Sequence, residues 1–148
     1  MEHIHLLVYT SELAQAPEEI DNILRDIIKI SKINNVKNEI SGLLFYHNLR
    51  FLQFIEGDKN SLELLMKNIA RDPRHKNIIR IIDEPVYVRS FSGWSMDSFN
   101  LNNNDAISLA ELNAIRDIYK QNFNVISNVL ATFYKLMLDT YSSGQRPK

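Results

Sequence analysis

Residues 40–57 read ISGLLFYHNLRFLQFIEG, and this stretch decides the fold. Ile40–Tyr46 and Arg50–Glu56 are aliphatic and aromatic runs, and His47-Asn48-Leu49 lies between them, so the segment reads as a β-hairpin. Side chains alternate along a strand, which puts Phe51, Gln53 and Ile55 on one face and Leu52 and Phe54 on the other. Both faces are apolar. The second strand is therefore central and covered on both sides, and the Gln53 carboxamide must find its hydrogen-bond partners in the interior.

Toward the N-terminus, His3–Thr10 (HIHLLVYT) reads as a strand and Ser11–Ala16 as a loop. Pro17 opens a helix, with Glu18 and Glu19 complementing its dipole. Ile20, Ile23, Leu24, Ile27, Ile28 and Ile30 carry its apolar positions at helical spacing, and the pattern stops near Asn34–Asn38. Toward the C-terminus, Gly57-Asp58 ends the strand and a helix runs over 61–71, with Leu62, Leu65, Met66 and Ile69 on one face. Asp72-Pro73 stops it. A strand over 78–88 is interrupted near Pro85, and a last short strand covers 91–99 around Trp94. The order βαββαββ predicts an α+β, ferredoxin-like sheet with both helices on one face.

That unit fills residues 1–100. LNNNDA at 101–106 reads as a linker to two helices, 108–120 and 125–141, within a C-terminal segment 101–142. The second helix stacks Val125, Val129, Phe133, Leu136 and Tyr141 on one stripe, so it must cover the open sheet face or another subunit. The tail 143–148 is expected to be disordered.

Composition narrows the function. The chain has 148 residues, 45% hydrophobic and 24% charged, which suits one globular domain. Seventeen Lys and Arg balance 18 Asp and Glu, leaving a net charge of -1, which argues against nucleic-acid binding. With no cysteine there is no disulfide, thiolate metal site or cysteine nucleophile. Apolar runs are too short for a membrane span, and no signal peptide is read, so a cytoplasmic protein is expected. His3 and His5 lack a third ligand at motif spacing, so no metal is expected. No GxSxG, HExxH, Walker A or GxGxxG motif occurs, and no enzymatic activity is expected.

The informative residues are polar ones in apolar patterns. The first helix's stripe runs from Ile27 into Ser31 and Asn34. Tyr9 shares a strand face with Leu7 and His5. In this topology the first strand pairs with the third, so Tyr9 neighbours Gln53 and both can face the first helix. Four polar groups then converge on a slot walled by Ile27 and Phe51, the form of a small-molecule site suited to a flat heteroaromatic. Arg71, Arg74, His75, Lys76 and Arg80 form a basic cluster, read either as a solvated loop or as a phosphate seat.

LVYTS at 7–11, SKINN at 31–35, EISGLLFY at 39–46, FLQFIEG at 51–57, RDPRH at 71–75 and FSGWSM at 91–96 occur in this order and spacing. Together they resemble the BLUF domain, a blue-light-sensing module that uses flavin, over about residues 3–100. Ser41 stands where threonine is common. The resemblance implies a ferredoxin-like fold that holds flavin between its two helices. FAD is the expected cofactor, with FMN and riboflavin as alternatives. It places the photoactive tyrosine on Tyr9, the switching glutamine on Gln53 and the main ring contact on Asn35, with Asn34 and Ser31 beside it. Arg74 and His75 fall toward the phosphate side, and Trp94, Ser95 and Met96 on the signal relay. It implies light-driven electron and proton transfer from Tyr9, with hydrogen-bond switching at Gln53 that gives a red-shifted state. Without an attached effector, the output is expected to be changed contacts in a homo-oligomer or with a downstream protein. The competing readings are a ferredoxin-like phosphoryl enzyme and a regulatory interaction domain without photochemistry.

Overall fold

The computed structural model describes residues 4–103, 105–122 and 128–145. Five strands, β1 (Ile4–Leu13), β2 (Ser41–His47), β3 (Arg50–Asp58), β4 (His75–Val86) and β5 (Asp97–Asn100), form one sheet in the order β4-β1-β3-β2-β5. All neighbours are antiparallel except β2 and β5. Helices α1 (Ile20–Lys37) and α2 (Lys59–Arg71) follow β1 and β3, and α3 (Leu109–Gln121) and α4 (Asn128–Gln145) end the chain. The expected ferredoxin-like α+β arrangement is present.

The hairpin between β2 and β3 turns on two residues, Asn48 (φ 45°) and Leu49 (φ 69°). Two positive φ values match the right-handed twist of the flanking strands. Leucine resists that conformation, but Leu49 N–H donates to Tyr46 Oη at 3.1 Å and its carbonyl accepts from Leu13 N at 2.8 Å. Asp58, in extended conformation, accepts from Ser61 N at 3.1 Å, so α2 begins at Lys59, ahead of the sequence expectation.

β3 alternates as its sequence requires. Phe51 and Ile55 join Leu7, Ile23, Ile27, Leu62 and Met66 in a core under α1 and α2. Leu52 and Phe54 join Leu6, Val8, Phe45, Ile115, Phe133 and Met137 in a second core on the opposite face. The C-terminal helices thus cover the sheet face that α1 and α2 leave open.

Other boundaries also differ from the sequence reading. β1 continues to Leu13, because residues 11–13 keep pairing with β3 or β4. β4 is unbroken through Pro85, because it is an edge strand, where a missing N–H costs no ladder bond. The last strand is only Asp97–Asn100. Trp94 lies in the loop before it, where Gly93 (φ 88°) reverses the chain and Trp94 N–H returns to Phe91 O at 3.0 Å. Helix α4 runs through Gln145 rather than ending at 141. His3, the helical start expected at 125–127 and the tail residues 146–148 lie outside the described residues.

Glu111 closes a capping box at the start of α3: its side chain accepts from Ser108 N at 3.1 Å, and Ser108 Oγ accepts from Glu111 N at 3.1 Å. Its other oxygen is buried and meets no donor among the described residues. Burial first, then the Asp97 carboxylate of β5, push the Glu111 acid above its ordinary range. Asp97 itself has Lys32 at 3.9 Å. An acid raised on folding contributes stability below its unfolded pKa, and that contribution is lost as pH rises through the folded value. An ionised Glu111 is therefore a liability to the fold. Glutamine keeps the cap and supplies a donor toward Asp97. Glu111→Gln is expected to stabilise the fold by about 1 kcal/mol at neutral pH and to flatten the acid side of Tm against pH, read by thermal melts.

Candidate functional site

A cleft opens on the α1/α2 side of the sheet, with a volume of about 770 Å³ counting its mouth. Ile27 and Ile30 of α1 form one wall, Leu65 and Ile69 of α2 the other, and Leu44 of β2 contributes to the floor.

Register builds the polar part of the floor. Tyr9 on β1 lies directly across from Gln53 on β3, and both side chains point to the α1 side. The Tyr9 hydroxyl donates to Gln53 Oε1. The Gln53 amide faces Met96 Sδ at 3.4 Å, a weak acceptor for a good donor. Tyr9 is 1% exposed. Burial, reinforced by the Asp72 carboxylate, pushes its phenol well above the ordinary range. The hydroxyl therefore stays protonated, and Tyr9 is held as a donor to the carboxamide.

The α1 stripe steps from Ile27 to Ser31 to Asn35, four residues at a time. Asn35 is 2% exposed, and its Nδ2 donates to Ser95 O at 2.8 Å. Asn34 lines the cleft but is exposed. Periodicity points to Asn34 as the inward residue, whereas Asn35 is the buried one.

At the mouth, Arg74 clasps Asp72 with two parallel bonds, Nε to Oδ1 at 2.9 Å and Nη2 to Oδ2 at 2.6 Å. Burial alone would raise the Asp72 acid, but Arg74's side-chain and backbone bonds hold it below its usual range, and the same pair raises Arg74. His75 lines the cleft beside them and bonds Ser11 Oγ through Nδ1 at 2.9 Å. Burial, which outweighs Asp72, holds the imidazole below its ordinary pKa.

Several expected contacts lie elsewhere. Phe51 does not line the cleft; it stands behind His75, with ring centroids 4.8 Å apart. The basic cluster disperses. Arg80 bonds Glu63 at 2.7 and 2.9 Å and Asp83 at 3.0 Å, while Arg71 and Lys76 are exposed and away from the cleft. Trp94 is half-buried against Phe91 on the α3/α4 side, whereas Met96 is fully buried on the cleft side. Sequence reasoning missed Asn68, Asp72 and Ser11. Asn68 sits between Leu65 and Ile69 on α2, and that interruption of an apolar face was the available signal.

The residues present fit an isoalloxazine. Its flat body needs two apolar walls, and its imide edge carries a donor between two acceptors, which the carboxamides of Asn35 and Gln53 can match.

The family described as sensors of blue light using FAD matches residues 4–97. The chain is 25% identical over 95 residues to the blue light- and temperature-regulated antirepressor BluF of Escherichia coli (strain K12). It is 30% identical over 94 residues to the photoactivated adenylate cyclase subunit beta of Euglena gracilis. Each match covers 64% of this chain but only 23% and 11% of those longer relatives. The dark-state structure of BlrB, a BLUF protein, superposes with a TM-score of 0.66 at 26% identity, covering 96% of this chain and 98% of that one. No helix among the described residues is long and apolar enough to cross a membrane. The chain belongs to the BLUF family of flavin-based blue-light sensors.

Proposed function

We propose that this chain is a photoreceptor whose light-reactive pair is Tyr9 and Gln53, with an output made of altered contacts to other proteins rather than catalysis. One observation carries this reading: a sealed phenol donates to a carboxamide at the floor of a cleft shaped for a flat ring. Residues 1–100 form the sensory unit, and the segment 101–142 caps the sheet and carries the output. Ile27, Ser31, Asn34, Asn35 and Gln53 hold the ring, and Arg74 and His75 stand at the mouth. FAD is the proposed cofactor. The output partner is a downstream protein, a second copy of the chain, or both.

A bound oxidised flavin supplies a blue-light absorber whose excited state is a strong one-electron oxidant. The chain's own part follows from its geometry. Tyr9 is the phenol placed to lose an electron, and its proton already lies on the bond to Gln53 Oε1. Losing both together avoids a buried charge, which would be costly there. Gln53 then changes which partners its donor and acceptor face. Its present amide contact, a thioether, is weakly held and easily given up. Such a local hydrogen-bond event can bias distant packing.

The purified chain should be yellow, and its flavin band should move reversibly to the red under blue light. A protein that stays colourless after expression with abundant riboflavin would instead favour an interaction domain without photochemistry. Gln53→Ala should still bind flavin, about tenfold more weakly for one lost hydrogen bond, and show no red shift in a light-minus-dark spectrum. A normal shift in that variant would remove Gln53 from the switch.

A further inference from the structure

Residues 87–96 carry the chain from β4 at one edge of the sheet to β5 at the other. The segment is fastened near its start and near its end, where β3 takes part in both, and between them Trp94 O accepts from Gly42 N of β2 at 2.8 Å. Near its start, the Glu56 side chain, on a residue 1% exposed, accepts from Ser90 N at 2.8 Å and Phe91 N at 2.6 Å, and from Ser41 Oγ at 2.9 Å. Arg89 braces the same point. It donates to Ser41 Oγ at 3.0 Å, to Glu56 O at 3.4 Å and to Glu39 O at 2.6 Å. Near its end, Asn35 holds Ser95 O, and Gln53 holds Met96 only through its thioether.

These attachments are unequal. A carboxylate accepting amide N–H groups makes bonds roughly twice as strong as neutral ones, whereas a thioether is among the weakest acceptors. Gln53 and Glu56 are three residues apart, so they grip the segment from opposite faces of the sheet. Phe91 and Trp94 belong to the α3/α4 core and Met96 to the cleft core. Between Phe91 and Trp94, Gly93 turns at φ 88° in open space.

We infer that Glu56 is a positioning residue: it is the fixed pivot about which the Ser95–Met96 end of the segment moves when Gln53 changes partners. Motion at Met96 then carries Trp94 against the α3/α4 core. Without a fixed start, release of Met96 would dissipate in the loop. This rests on the Tyr9–Gln53 reading above.

Trp94 is the single tryptophan, so 5-fluorotryptophan labelling of the flavin-loaded full chain gives one ¹⁹F resonance from the segment. In the unsubstituted chain that resonance should move reversibly with light. In Glu56→Gln the red shift of the flavin band should persist at full amplitude, while the light-induced movement of the resonance is lost. Ser41→Ala removes one donor to the carboxylate and leaves two, so it serves if Glu56→Gln does not fold. It should reduce the movement in the same direction. A purely structural anchor would lower Tm in these variants and leave the ¹⁹F movement intact, and that result overturns the pivot. So does an unsubstituted chain that shifts its flavin band without moving Trp94. Absence of any red shift in the unsubstituted chain refutes instead the photochemical reading beneath it.

Discussion

Tyr9→Phe is expected to give a protein that binds flavin and remains yellow but no longer shifts its absorption under blue light. The phenyl ring keeps every apolar contact of Tyr9 in the cleft core, so the slot keeps its shape. What disappears is the hydroxyl that donates to Gln53 Oε1. Phenylalanine is far harder to oxidise than a phenol and has no acidic proton to release with the electron. The carboxamide therefore has nothing to respond to. The cost to folding is modest, about 1–3 kcal/mol for an unpartnered buried carbonyl, and urea denaturation should show it. Light-minus-dark absorption decides the functional half. A full shift in Tyr9→Phe would exclude the tyrosine from the reaction.

The largest effect on stability is expected from Gly42→Ala. A Cβ at that position would lie 2.1 Å from Phe54 O, 3.1 Å from Phe54 C and 3.2 Å from Ile55 Cα. All three are backbone atoms of the central strand, and no rotamer can relieve them. β2 would have to peel from β3, which breaks ladder bonds between the two strands and loosens Leu43 and Phe45, both fully buried. Overpacking of this kind usually costs 1–3 kcal/mol, and a clash with a strand that cannot move aside should cost about 3 kcal/mol or more. Urea denaturation measures it, and loss of flavin retention should accompany it. Gly93→Ala is the natural control. Gly93 has open space around it, so alanine there meets only the strain of a positive φ, about 1–2 kcal/mol. If Gly42→Ala proves the milder of the two, the close approach of β2 to β3 is wrong.

Much of this was legible because it depends on short-range rules. The alternation in FLQFI places Gln53 under α1 and Phe54 on the other face, and strand pairing in a βαββαββ order brings Tyr9 opposite Gln53. Burial of Asn35 rather than Asn34 turned on a single step, four residues instead of three, at the last turn of α1. The position of Trp94 was hidden for a different reason. FSGWS is apolar enough to resemble a strand, but the partner that fixes the real one, β2 in parallel, lies more than fifty residues away. The dispersal of the basic cluster was equally long-range. Arg80 is drawn to Glu63 of α2, a contact that no local pattern encodes. The C-terminal helices announced an apolar stripe but not its destination, since a stripe is equally satisfied by a sheet or by a second subunit.

Gln53 is laddered on both sides, to Tyr9 on β1 and to Leu44 on β2. Its main chain is pinned in the middle of the sheet, where amide exchange is slowest and opening approaches the cost of global unfolding. Any rearrangement at this residue is therefore confined to rotation or proton relocation within one side chain. A receptor built this way risks no secondary structure when it is triggered.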